Sequence, residues 1–186
     1  IDLNCGCPSE RVQRGAFGAC LMAEPNLVAE CVKAMKSAVD IPISVKHRLG
    51  LDSMDASTSK TDYQFALDFI LSVADAGASQ VTIHARNAVL KGLSPKENRS
   101  KPPLRYEVAA RLRLDAQKQF PHLKVLLNGG LETNEQIAAH WNDFDGFMVG
   151  RAAYHFPAML LGWDDLIDSD GDAAGYLFSE TEWHRI

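Results

Sequence analysis

Asp2-Leu3-Asn4-Cys5-Gly6-Cys7-Pro8-Ser9 begins as a buried strand and then cannot continue as one. Residues 1–3 form the end of the strand. Gly6 permits backbone angles closed to other residues, and Pro8 removes a ladder donor and fixes φ. Asn4 and Cys7 are therefore expected at a strand's carboxy-terminal lip, where α/β folds keep their chemistry. A thiol there can be a nucleophile, a metal ligand or a proton donor.

Outward from this stretch the same unit recurs: apolar strand, turn, amphipathic helix. After the opening loop, a helix is expected from Glu24-Pro25-Asn26 to about Val39, with Leu27, Val28, Cys31, Val32 and Met35 on one face. Strands follow at 41–46, 80–84, 124–127 and 146–149, and helices at 63–76, 106–119, 134–141 and 152–161. Counting the amino end, five strands alternate with helices, which implies parallel pairing and right-handed crossovers. That pattern fits a TIM (β/α)₈ barrel or a doubly wound sheet, and no glycine-rich dinucleotide fingerprint supports the second. The expected architecture is α/β: a partial TIM barrel of about five βα units over residues 1–161, followed by an acidic tail at 162–186.

Composition narrows the function classes. The chain has 186 residues, one domain's worth, and no run approaches the ~18 to 20 apolar residues of a membrane span. Cysteines 5, 7, 20 and 31 do not form a disulfide framework, which favours a reducing compartment. They also make a poor zinc site, since Cys5 and Cys7 have one residue between them and no histidine cluster completes a ligand set. No metal is expected. The net charge of −5 hides a division: residues 86–118 hold nine Lys/Arg against three Asp/Glu, a balance of +6. From Asp164 onward seven acids face Arg185 alone, a balance of −6. A basic segment in an acidic protein is a candidate polyanion contact, but on charge alone a solvated helix face is the better reading.

Polar signals recur just after the strands: Asn4 and Cys7, Lys46 and Arg48, His84 and Arg86, Asn128-Gly129-Gly130, and Gly150-Arg151. In a barrel these converge on one face. The last two junctions offer backbone N–H groups, a helix N-terminus and a guanidinium, which suit a phosphate monoester.

As a set, Asn4-x-Gly-Cys7-Pro8, Gly15-x-x-Gly18-Ala-Cys20-Leu21, Val45-Lys46-x-Arg48, His84-Ala-Arg86, Leu93-Ser-Pro-Lys96-x-Asn98-Arg99, Asn128-Gly-Gly130 and Val149-Gly-Arg151-x-x-Tyr154 resemble the tRNA-dihydrouridine synthases in order and approximate spacing. The loop from Gly92 to Arg99 looks like the bacterial-type subfamily acting at D-loop positions 20 and 20a. The resemblance implies an FMN-bound barrel that reduces uridine in tRNA to 5,6-dihydrouridine, with NADPH as reductant. It makes Cys7 the proton donor and Asn4, Lys96 and Arg99 tRNA contacts. It gives Lys46, His84, Asn128, Gly129, Gly130, Gly150 and Arg151 to the flavin, the last five near its phosphate. The residue types suit that chemistry: reduction of uracil at C6 leaves charge on C5, and a thiol of reference pKa near 8.5 is still protonated at neutral pH to quench it.

Against the family, the chain begins inside what looks like the fourth barrel strand, and beyond residue 161 the match fades. Asp168-x-Asp170-x-Asp172 hints at a calcium loop, but Ala173 stands where the turn glycine belongs and Ser179 where the bidentate Glu belongs. The remaining alternatives are an FMN barrel acting on a free pyrimidine, like dihydroorotate dehydrogenase, and a non-catalytic RNA-binding remnant. A cytoplasmic location is expected, or an organelle if a transit peptide precedes Ile1.

Overall fold

Parallel pairing runs through the whole sheet. The computed structural model describes residues 1–51, 61–161 and 163. The stretch from Leu51 to Thr61, polar in sequence and read as a surface insertion, falls mostly on 52–60, and the acidic tail with its aspartates on 164–186; both lie outside the described residues. The strands are β1 (Asp2–Cys5), β2 (Ser44–Arg48), β3 (Gln80–His84), β4 (Lys124–Asn128) and β5 (Gly146–Met148). Between and after them lie α1 (Glu10–Arg14), α2 (Pro25–Ala38), α3 (Asp62–Asp75), α4 (Tyr106–Gln119), α5 (Asn134–Ala138) and α6 (Arg151–His155). The sheet order is β1-β2-β3-β4-β5, every pair parallel. A doubly wound sheet reverses its strand order at a switch point. This one never does, so the fold is an α/β partial barrel wound in one direction, as the βα alternation implies.

The chain divides into two compact units, Ile1–Gly130 with Phe144–Met148, and Leu131–Asp143 with the chain from Val149 onward. The first holds all five strands. In it Val45, Val81 and Val125 form one row of the sheet, and Cys5, His47, Ile83 and Leu127 the next, all fully buried. Val28 and Val32 of α2, Ala66, Phe69, Ile70 and Val73 of α3, and Ala109, Leu112 and Ala116 of α4 supply the apolar helical faces. Pro25 opens α2 at a position where its missing N–H costs nothing, and Thr61 Oγ1 caps α3 by accepting from Gln64 N at 3.3 Å. Gly77, at φ +104°, stops the turn after α3 in a conformation that side chains resist. In the second unit Trp163 Nε1 donates to Asn134 Oδ1 at 3.1 Å, and Asn134 Nδ2 donates to Met159 O at 3.2 Å.

Several expectations need correction. The first strand runs through Cys5 rather than ending at Leu3, and the helix expected at 134–141 stops at Ala138. The opening loop contains α1 and a 3₁₀ turn at Gly18–Ala23. The second strand lies at Ser44–Arg48 rather than 41–46: the amino terminus and Ser44 N bond to Pro42 O and Ile1 O (2.8 Å each), and pairing with β3 then runs to His84. On α2, Leu27 and Cys31 are exposed, so the buried stripe narrows to Val28 and Val32. The last helix breaks at Phe156 because the residue before Pro157 is pushed out of the helical region, and a 3₁₀ turn at Pro157–Leu160 follows.

Candidate functional site

Strand alternation turns the residues between those buried rows to the sheet's other face. One row there is Asn4, Lys46, Thr82, Leu126 and Gly146; the row nearest the carboxy-terminal lip is Arg48, His84, Asn128 and Met148. Here the polar residues accumulate. The Thr82 hydroxyl is buried and has no hydrogen-bond partner among the described residues. Lys46 is part-buried, with no hydrogen bond or ion pair among them either. Burial, then the neighbouring Arg48 charge, push its ammonium from 10.5 down to about 8.

The Cys7 loop is built by its neighbours. Asn4 Oδ1 accepts from Gly6 N at 2.9 Å and turns the chain as it leaves β1. Cys7 is part-exposed, with Sγ 3.6 Å from Ser9 Oγ, and its carbonyl accepts from Ala19 N at 2.9 Å. Gly18, at φ +63°, explains the glycine in that motif: a Cβ there would lie 2.7 Å from Cys7 O and 2.2 Å from Val12 Cγ1. Cys5, two residues away, is wholly buried, and burial pushes its thiol up to about 12. Cys20 is part-exposed and Cys31 exposed.

At the ends of β3 and β4 the His84 ring lies against Gly129. A Cβ on Gly129 (φ +105°) would lie 2.4 Å from His84 Cδ2, and one on Gly130 (φ +69°) 2.5 Å from Leu104 Cδ1. Tyr106 Oη donates to Gly129 O at 2.6 Å, and Asn128 Nδ2 to Met148 O at 2.7 Å. In the second unit Gly150 precedes α6, and Arg151 is its first residue and exposed.

Most of the basic segment's charge is already committed. Arg86 is buried and donates to Pro102 O, Lys101 pairs with Glu97 at 2.6 Å, Arg105 with Asp62 at 3.0 Å, Arg113 with Asp145 at 2.9 Å, and Lys118 with Asp115 at 2.6 Å. Arg111 lies 4.6 Å from the centroid of the Tyr63 ring. Lys96 and Arg99 are exposed, with no counter-ion among the described residues. Asn98 between them is fully buried and holds Val89 N and Val89 O at 2.8 Å each.

Two more residues frame this site: Arg48, which sequence reasoning named among the strand-end polar residues but gave no role, and Gln13, which it missed. Arg48 is 3% exposed; its Nε donates to Gly6 O at 3.1 Å and its Nη1 to Asn98 O at 2.9 Å. Gln13 Nε2 donates to Pro8 O at 2.9 Å and to Leu90 O at 2.7 Å. The Lys46-x-Arg48 spacing marks Arg48 as polar, but no sequence signal marks Gln13. Among the described residues, no three His, Cys, Asp or Glu side chains gather as a metal site, and no helix is long and apolar enough to cross a membrane.

Comparison with known proteins gives the family. The model of the dihydrouridine synthase (Dus) family matches residues 1–173. The tRNA-dihydrouridine(20/20a) synthase of Pseudomonas syringae pv. tomato is 54% identical over 164 residues, which are 88% of this chain and 46% of that protein. That of Synechocystis sp. is likewise 54% identical over 164 residues, 88% of this chain and 46% of the relative. The Xanthomonas axonopodis pv. citri protein of the same name is 56% identical over 160 residues, 86% of this chain and 45% of its own. The chain thus spans about half the length of the curated relatives it matches. With a family model matched along most of its length, this chain belongs to the dihydrouridine synthase family.

Proposed function

We propose that residues 1–161 form part of the catalytic barrel of a cytoplasmic, FMN-dependent oxidoreductase that reduces uridine to 5,6-dihydrouridine in the tRNA D-loop, with NADPH as reductant. Family membership and the relatives' names support the reaction class. The observation that carries the reading is the open face of the sheet. A part-buried ammonium with no ion pair and a buried hydroxyl with no hydrogen-bond partner among the described residues share one row, a place for an electron-rich, hydrogen-bonding group. These residues fit FMN: Lys46 and His84 would hold its ring system, and Asn128, Gly129 and Gly130 its phosphate. The family resemblance adds Gly150 and Arg151. When bound, FMN supplies the hydride chemistry.

The chain's own part is placement and one proton. Cys7 Sγ carries the proton for uracil C5, on a loop shaped by Asn4 and fitted against Gly18. A uridine must leave the tRNA stack to reach it, so the exposed cations Lys96 and Arg99 serve to hold the RNA, together with Asn4.

The test supplies the protein with FMN, NADPH and an unmodified tRNA transcript, and quantifies dihydrouridine by nucleoside mass spectrometry. The expected product is dihydrouridine at position 20 or 20a. Reduction of free uracil or orotate with unmodified tRNA would point to a free-pyrimidine reductase. Binding of tRNA with no reduction of either would mark an RNA-binding remnant.

A further inference from the structure

Two side chains connect the loop that carries Cys7 to the segment that carries Lys96 and Arg99. Arg48 is one. It is buried, yet it meets no carboxylate among the described residues; its donors go to carbonyls, Gly6 O on one side, Asn98 O and Asn87 O (3.4 Å) on the other. Burial, with Arg86 and Arg99 nearby and only Cys7 opposing them, lowers its guanidinium to about 10. Holding an unneutralised cation in the interior costs stability, and an apolar side chain would pack there more cheaply. Gln13 is the other, spanning Pro8 O and Leu90 O with a single amide nitrogen.

The carbonyls they grip are informative. Gly6 and Pro8 are the immediate neighbours of Cys7, and Asn98 sits between Lys96 and Arg99. The far side is itself rigid, since Asn98 Oδ1 and Nδ2 clamp Val89, Leu93 and Ser94 at 2.8–3.4 Å. We propose that Arg48 and Gln13 are positioning residues that hold the Cys7 loop and the Lys96–Arg99 segment in one frame, so that RNA gripped by the segment presents its uridine at a fixed place relative to the thiol. The RNA half of this proposal rests on the proposed function; the mechanical link does not.

The test therefore begins without RNA. Iodoacetamide labelling of Cys7, followed by peptide mass spectrometry, reports how tightly its loop is held. Gln13→Ala removes a part-exposed side chain from a short helix outside the core, and should speed Cys7 labelling roughly two- to tenfold, the value of one or two lost hydrogen bonds, with little change in Tm. Arg48→Lys, which keeps the charge but loses the fork, should do the same. Asn98→Ala is the discriminating variant, because its side-chain bonds all lie within the basic segment. It should also speed Cys7 labelling, and combined with Gln13→Ala should give less than the product of the two effects.

With tRNA, these variants should lower kcat while KM rises less than in Lys96→Ala, whereas a merely structural loss would lower Tm and leave folded molecules with parental kcat. Parental labelling in both Gln13→Ala and Asn98→Ala overturns the link, as do fully multiplicative effects. Should Arg48→Lys not fold, those two variants still decide. Labelling that responds as expected in a protein that reduces no tRNA upholds the link and removes the proposed reaction instead.

Discussion

The two faces of the sheet handle charge in opposite ways. On the helix-covered side the rows are apolar, and their one histidine, His47, lies against Phe69 with ring centroids 5.2 Å apart. Burial holds that imidazole down at about 4, so it is neutral at ordinary pH. Where α4 accepts a charge it is matched: Arg113 grips Asp145, which also accepts from Gln117 Nε2 and Val125 N. On the open side Lys46 and Arg48 are cations held close together with no ion pair among the described residues, Asp2 acting on Lys46 only from a distance. A face arranged for stability alone would not concentrate like charges. The difference separates what holds the fold from what is left for a ligand.

That contrast can be broken at several points. The largest effect is expected from Cys7→Ala, which should keep the fold and lower reduction of tRNA uridine by roughly 10²- to 10⁴-fold, the usual worth of a positioned acid. Cys20→Ala should stay near the parent, and loss in Cys20→Ala with near-normal turnover in Cys7→Ala would reassign the acid. Next comes the helix face. Phe69→Ala should cost about 3–5 kcal/mol in denaturant unfolding, by removing a fully buried ring. A smaller effect follows from Asp145→Asn. Burial alone would raise this carboxyl, but hydrogen bonds from Arg113 and from Val125 N outweigh it and hold the group below its ordinary 3.8. A lowered folded-state value stabilises the protein above about pH 4 and is lost as pH falls through that lower value. The parent-minus-variant gap in Tm should therefore be widest near neutrality and close in acid. Smallest is the surface term: Lys96→Ala and Arg99→Ala should each lower the salt slope of log K for tRNA by roughly one unit or less, with flavin content unchanged. An unchanged slope would make the basic segment only a solvated face.

How much was legible in the sequence depended on how local the cause was. The strand Gln80–His84 and the helix Tyr106–Gln119 match their expected limits, because each has a clean period and its own stop signals. The strand Ser44–Arg48 did not, because His47 and Arg48 look like the polar end of a strand. In the structure one is core, held by Phe69 from α3, and the other still pairs with His84. Alternation alone could not tell Cys5 from Cys7, since residues two apart share a face of a strand; the turn at Gly6 and Pro8 takes Cys7 out of β1, which ends at Cys5. The frame around Cys7 could not be read, since Gln13 reaches Leu90 across 77 positions and Arg48 reaches Asn98 across 50, both through backbone carbonyls that carry no side-chain signature. The basic segment misled by its total: at least six of its nine cations are engaged by other groups of the protein, some across more than thirty positions, and only the structure isolates Lys96 and Arg99.

Lys46 offers the most direct test of the division between the faces. Its ammonium falls from 10.5 to about 8 on folding, first through burial. The folded protein therefore holds fewer protons than the unfolded chain between those values, so stability rises with pH across that window and the cost is fully present below about pH 8. Lys46→Met keeps the length of the side chain and deletes the charge. Thermal melting and FMN titration of parent and variant at pH 7 should move in opposite directions. The flavin-free variant should melt higher than the parent, by a margin that shrinks toward pH 10.5, and should bind FMN about tenfold more weakly or worse. A variant that melts lower and binds FMN as tightly as the parent would place Lys46 among the residues that hold the fold, and the open face would lose its claim to be the site.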